Sequence, residues 1–107
     1  MSADSPNLYV GIARLEVHVP EARSLKDKRS HVRGLVERLR SRHQVLVLET
    51  EGQNLHQTAA IAVCAISTNG GDLEARLQRV RSTVDETFAG HVVGWNVEIF
   101  EADGEWA

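Results

Sequence analysis

From Leu8 to Val19 the chain settles into a two-residue rhythm, with Leu15, Val17 and Val19 in one phase and Arg14, Glu16 and His18 in the other. Alternation of that kind predicts a strand with one buried face. Pro20 ends it, because proline cannot continue a central ladder. The period then lengthens. Ser24-Leu25-Lys26-Asp27 has the form of a capping box, and Leu25, Val32, Leu35, Val36 and Leu39 follow at helical spacing. Lys26, Arg29, Arg33, Glu37 and Arg40 form the opposite stripe, while Arg40, Arg42 and His43 sit where cations complement a helix C-terminus. These positions predict an amphipathic helix of about four turns with a basic solvent face.

Gln44 to Thr50 (QVLVLET) predicts a second strand, and Glu51 to His56 a turn, with Gly52 and Asn54 as its φ-tolerant residues. Gln57 to Thr68 is a third strand of small residues, apolar in both phases, as expected of a strand covered on both faces. Asn69-Gly70-Gly71-Asp72 interrupts it, with Asp72 expected to cap a second helix. Leu73, Leu77, Val80, Val84 and Phe88 mark that helix as amphipathic, and Gly90 ends it. Val93, Trp95, Val97 and Ile99 then alternate with Gly94, Asn96 and Glu98 as a fourth strand, its Trp95 directed at the helices.

The order β-α-β-β-α-β is that of an α+β, ferredoxin-like split β-α-β fold. Right-handed crossovers place strands one and three at the centre of a four-stranded antiparallel sheet, with two helices on one face and the other face open. At 107 residues the chain fits one domain, with a core of about residues 8–101 and flexible tails at 1–7 and 102–107. Nothing in it reads as a linker, a repeat or a signal peptide, and no stretch is apolar enough to span a bilayer. A cytoplasmic protein away from the membrane is the expectation.

Net charge is −3, yet charge is unevenly distributed. Residues 21–43 carry eight basic and three acidic side chains, whereas the rest of the chain carries four basic and twelve acidic ones. A basic element on an acidic body is an argument about partners.

Several chemistries common on this fold are absent from the sequence. Cys64 is the only cysteine, so there is no set for a metal cluster and no pair in the first loop for a soft metal. The third strand has no aromatic residue on which an RNA base could stack in the manner of an RNA-recognition motif. Gly70-Gly71 is a bare pair and forms no phosphate loop. No two histidines pair at i, i+4. No metal, cofactor or catalytic residue is therefore expected.

Two polar groups remain. Arg14, Glu16 and His18 would lie side by side on the open face, as an acid–base row or as a polar stripe within a dimer interface. Glu49, Glu51, Gln53, Asn54 and His56 gather at the hairpin between strands two and three, where turn chemistry and a ligand-binding loop are both consistent readings. Cys64 reads as a small core residue. The open face itself, drawn on strand three from Thr58, Ala60, Ala62, Cys64 and Ile66 or from the opposite phase, is largely apolar and so marks an interface.

The stretch VGIARLEVHVPEARSLKDKR, from Val10 to Arg29, resembles the start of the YlxP-like family, also called domain of unknown function 503. HVPEARSLKDKR is its specific part, and the likeness extends over about residues 8–100. The family hairpin reads Asp and Trp where this chain has Asn54 and His56, so no role at those two positions carries over. The resemblance implies a small bacterial cytoplasmic protein of ferredoxin-like fold that tends to dimerise and has no established activity, often encoded beside translation initiation and ribosome maturation factors.

Together these point to a non-enzymatic binding module associated with ribosome maturation or translation. Arg23, Lys26, Lys28, Arg29, Arg33 and Arg40 would contact the phosphates of ribosomal RNA or of a ribosomal subunit. The alternative is a homodimeric scaffold that meets an acidic protein through the same helix. A third reading is a small-molecule binder or enzyme at Arg14, Glu16 and His18.

Overall fold

A computed structural model describes residues 7–51 and 57–102. The elements run β1 (Leu8–His18), α1 (Leu25–Arg42), β2 (Leu46–Glu51), β3 (Thr58–Ser67), α2 (Gly70–Thr87) and β4 (His91–Ala102). All neighbouring strands are antiparallel and the sheet order is β2-β3-β1-β4, so the expected α+β split β-α-β topology is the observed one. Of the hairpin residues, Gln53, Asn54 and His56 lie outside the described residues, as does Trp106.

The core lies between the sheet and the two helices. Ala13, Leu15 and Val17 of β1 and Ala59, Ile61 and Val63 of β3 meet Val32, Leu35 and Leu39 of α1 and Leu77, Val80 and Val84 of α2. Removing a leucine such as Leu35 or Leu39 fully from water contributes about 2–3 kcal/mol. This packing, more than intrinsic helix propensity, holds α1 and α2 in place.

Both helices start on side-chain caps. Ser24 Oγ accepts from the Asp27 amide at 3.1 Å, and the Asp27 carboxylate accepts from the Arg23 amide at 3.0 Å, so the expected box closes with an aspartate in the glutamate position. At α2 the cap is Asn69, whose Oδ1 accepts from the Asp72 amide at 3.1 Å. The helix thus begins one turn earlier than an Asp72 cap would place it. Asp72 lies in the first turn, where a negative charge favours the helix dipole and can pair with Arg76.

The fourth strand departs from simple alternation. Val17 pairs with Val92 and Glu16 with Gly94, which leaves Val93 as an extra residue in a bulge. Val92 therefore takes the inward position expected of Val93, and Val93 is turned out at 60% exposure. Beyond the bulge the phase is as expected, with Trp95, Val97 and Ile99 opposite Leu15, Ala13 and Gly11. Trp95 packs on the core, with the Arg81 guanidinium 5.5 Å above its ring. Gly90, before β4, is required by space: a Cβ there would collide with the His18 carbonyl oxygen.

A candidate polyanion-binding surface

The helix α1 presents two faces of opposite character. Arg23, just before it, and Lys26, Arg29, Arg33 and Arg40 along it are exposed. Lys28 is not. It is 1% exposed and lies in the buried row Lys28, Val32, Leu35 and Leu39, so it belongs to the core-facing side and presents no charge to a partner. The spacing explains this: Lys28 lies three residues after Leu25 and four before Val32, in the apolar stripe. No buried side-chain nitrogen or oxygen among the described residues lacks a hydrogen-bond partner, as the cost of burying an unsatisfied group requires.

Arg29, Arg33 and Arg40 line one wall of a groove of about 330 Å³ between α1 and the edge strand β2. Val32, Val36 and Val47 contribute its apolar lining, and Glu49 stands on the β2 side. Arg40 is committed in part, since its Nη2 donates to the Val47 carbonyl oxygen at 2.9 Å and ties α1 to β2. Glu49 is opposite Ile61, which is buried beneath the helices, so Glu49 is on the helix side of the sheet and half-buried.

The two helices treat their cations differently. Of the three arginines on α2, Arg76 pairs with Asp72 at 2.8 Å and Arg81 with Asp85 at 3.1 Å, while Arg79 is in no ion pair among the described residues. Among the described residues, no ion pair within 4 Å engages Arg23, Lys26, Arg29, Arg33 or Arg40, while His31 and Asp27 of α1 approach to 3.7 Å. The basic face is thus left uncompensated.

At the C-terminal end of α1, His43 Nε2 is 2.8 Å from Thr83 Oγ1, and Arg38 Nη1 donates to Thr87 Oγ1 at 3.2 Å. Burial, with the Arg79 and Arg42 guanidinium groups nearby, lowers the pKa of His43 below its ordinary 6.5.

The open face of the sheet carries the second group. Cross-strand rows place Ile12 between Cys64 and Glu98, Arg14 between Ala62 and Asn96, and Glu16 between Ala60 and Gly94. His18 lies between Thr58 and His91 in the same way. Arg14 and Glu16 are exposed and His18 half-buried, so the expected row exists. Arg14 and Glu16 also border a trough of about 490 Å³ floored by Ala60 and Ala62. Cys64, expected in the core, is instead half-buried on this face. Leu46 is 76% and Leu48 65% exposed, because Val47 and not its neighbours points to the helices. A run of four aliphatics hides that alternation in the sequence. Among the described residues, no group of three or more His, Cys, Asp or Glu side chains could hold a metal ion.

A model of a protein family of unknown function, DUF503, matches residues 10–97. The chain belongs to this family. A DUF503 relative, the uncharacterized protein YlxP of Bacillus subtilis (strain 168), is 29% identical over 76 residues, which is 71% of this chain and 83% of the relative. The fold is also that of the de novo designed protein Foldit4, which aligns with a TM-score of 0.50 at 14% identity over 90% of this chain and 99% of the designed one. A likeness at that identity concerns the fold alone. DUF503 membership accounts for the motif around residues 10–29 and brings no activity with it. Among the described residues, no helix is long and apolar enough to cross a membrane.

Proposed function

We propose that this DUF503 protein is a non-enzymatic cytoplasmic binding module that contacts RNA phosphates, in the setting of ribosome maturation or translation, through the exposed basic face of α1. The observation that carries this reading is the contrast between helices: two of the three arginines of α2, Arg76 and Arg81, are paired with aspartates, whereas no guanidinium on the outer face of α1 lies within 4 Å of a carboxylate among the described residues. Cations that a fold leaves uncompensated on one surface are the electrostatic footprint of a polyanion site. The contact set is Arg23, Lys26, Arg29, Arg33 and Arg40, without Lys28.

The test is binding of labelled RNA and of purified ribosomal subunits at two salt concentrations. With about five phosphate contacts to a single strand, affinity falls roughly 100-fold between 50 and 200 mM salt. Binding that is insensitive to salt, or equally tight after Arg29→Glu and Arg33→Glu together, would overturn the reading.

A second reading is a homodimeric scaffold, its basic helix meeting an acidic protein. What favours the dimer is the clustering of exposed Leu46, Leu48, Ile66 and Phe100 on the open face, in the phase that also carries Arg14 and Glu16. Apolar surface of that kind is a common mark of association.

A further inference from the structure

The groove between α1 and β2 contains a feature that phosphate binding alone leaves unexplained. It holds carboxylates among arginines: Glu37 and Glu49 line it together with Arg29, Arg33 and Arg40. A site for phosphates only would exclude negative charge. Yet no carboxylate–guanidinium pair closes to within 4 Å inside it among the described residues, so cations and anions are held apart around an open space. That space has an apolar lining in Val32, Val36 and Val47, and its 330 Å³ is at the lower end of the range typical of small-ligand clefts, about 300–1,000 Å³.

An apolar slot rimmed by arginines, with a carboxylate on its inner wall, matches one component of a nucleic acid: an unstacked base whose edge presents N–H donors. Bases splayed out of single strands stack on guanidinium planes and are read along their Watson–Crick edges. We propose that the α1–β2 groove takes a guanine base from single-stranded RNA, with Glu49 accepting hydrogen bonds from its edge and Arg29 and Arg33 on the flanking phosphates. This rests on the reading of α1 as a phosphate-contacting face and adds to it a preferred strand type and base.

Guanine is singled out by donor count. Its N1–H and N2–H₂ lie side by side and satisfy both oxygens of one carboxylate. Adenine and cytosine set a ring-nitrogen acceptor beside the amino group, and uracil flanks its single N–H with two carbonyls, so each turns an acceptor towards Glu49. The same carboxylates argue against an acidic peptide as occupant, because its side chains would approach Glu37 and Glu49 with like charge.

The experiment measures fluorescence anisotropy of the full chain with labelled oligouridylate and with the same strand carrying one central guanosine, adenosine or cytidine. The guanosine strand binds roughly 5- to 100-fold more tightly than oligouridylate, the discrimination of one bidentate base contact. Glu49→Gln removes that preference, since its amide turns an N–H₂ towards the guanine donors, and leaves oligouridylate binding as tight as before or tighter. Equal affinity for all four strands overturns the inference while leaving the phosphate reading intact, as does a guanosine preference that survives Glu49→Gln. Failure of every strand to bind at low salt overturns both. Oligoglutamate that binds as tightly as the guanosine strand overturns both in favour of an acidic protein partner.

Discussion

His43 Nε2 lies 2.8 Å from Thr83 Oγ1, and this contact joins the C-terminal cap of α1 to the second helix. The imidazole is also beside the like charges of Arg79 and Arg42 and partly withdrawn from water, so the folded protein resists its protonation. The unfolded chain does not. As pH falls through about 6.5, the unfolded state binds a proton that the folded state refuses, and stability drops until the lowered folded pKa is reached. His43→Gln, which keeps a polar partner for Thr83, is expected to flatten the loss of stability between pH 7 and pH 5 in urea titrations. An identical pH profile for the variant and the parent chain would show that His43 is not a source of the dependence.

Lys28 is expected to behave as a core residue. Its side chain is as buried as that of Val32, so Lys28→Ala should cost about 2–4 kcal/mol in urea denaturation, the range for truncating a large buried side chain. Lys26→Ala, two positions away and exposed, should change stability by no more than about 0.5 kcal/mol. Equal costs for the two would place Lys28 in water.

Arg29→Glu with Arg33→Glu should leave the melting transition nearly unchanged, because both side chains are exposed and neither makes an ion pair among the described residues. The dependence of log affinity on log salt for RNA should become shallower by about two, one for each phosphate contact removed. Arg76→Glu with Arg81→Glu, charge changes of the same size on already paired arginines, should leave that slope alone. A similar drop in slope for both variants would mean that overall charge, and not the face of α1, governs binding.

Self-association through the open face predicts a second, separate pattern. Leu46→Lys with Leu48→Lys should shift the chain from dimer to monomer in sedimentation equilibrium without loss of helical signal, since both leucines are solvent-facing. Arg14→Glu alone should weaken the dimer. A monomeric parent chain at concentrations of tens of micromolar, or a dimer indifferent to all of these substitutions, would remove the scaffold reading.

The elements and their order were legible in the sequence because the hydrophobic period was clear in β1 and in both helices, as in Leu15-Val17-Val19 or Leu73-Leu77-Val80-Val84, and because turn residues bounded the other strands. Among the placements that were not legible, three have a clear local physical reason. Lys28 looks like part of a basic face when charge is counted, although its spacing from Leu25 and Val32 puts it in the buried stripe. Val93 keeps the phase of Trp95 on paper, and only the pairing of Val17 with Val92 reveals the bulge that turns it outwards. The groove joins residues of α1 to Val47 and Glu49, and that juxtaposition depends on how α1 packs over β2. The basic residues were therefore visible in the sequence, whereas the carboxylate facing them across the groove was not.

The pairing of Leu8 with Ala102 has a consequence for how the molecule is made. β1 is the first of the four described strands in chain order and β4 the last, yet they lie side by side in the finished sheet. A nascent chain can form the β2–β3 hairpin and dock α1, but one edge of β1 stays unpaired until β4, the last of the four described strands in chain order, has emerged. Closing so long a loop carries an entropic cost before its contacts form, which slows folding and prolongs exposure of that edge. Emergence of β4, not of the first three strands, is the step that completes this sheet.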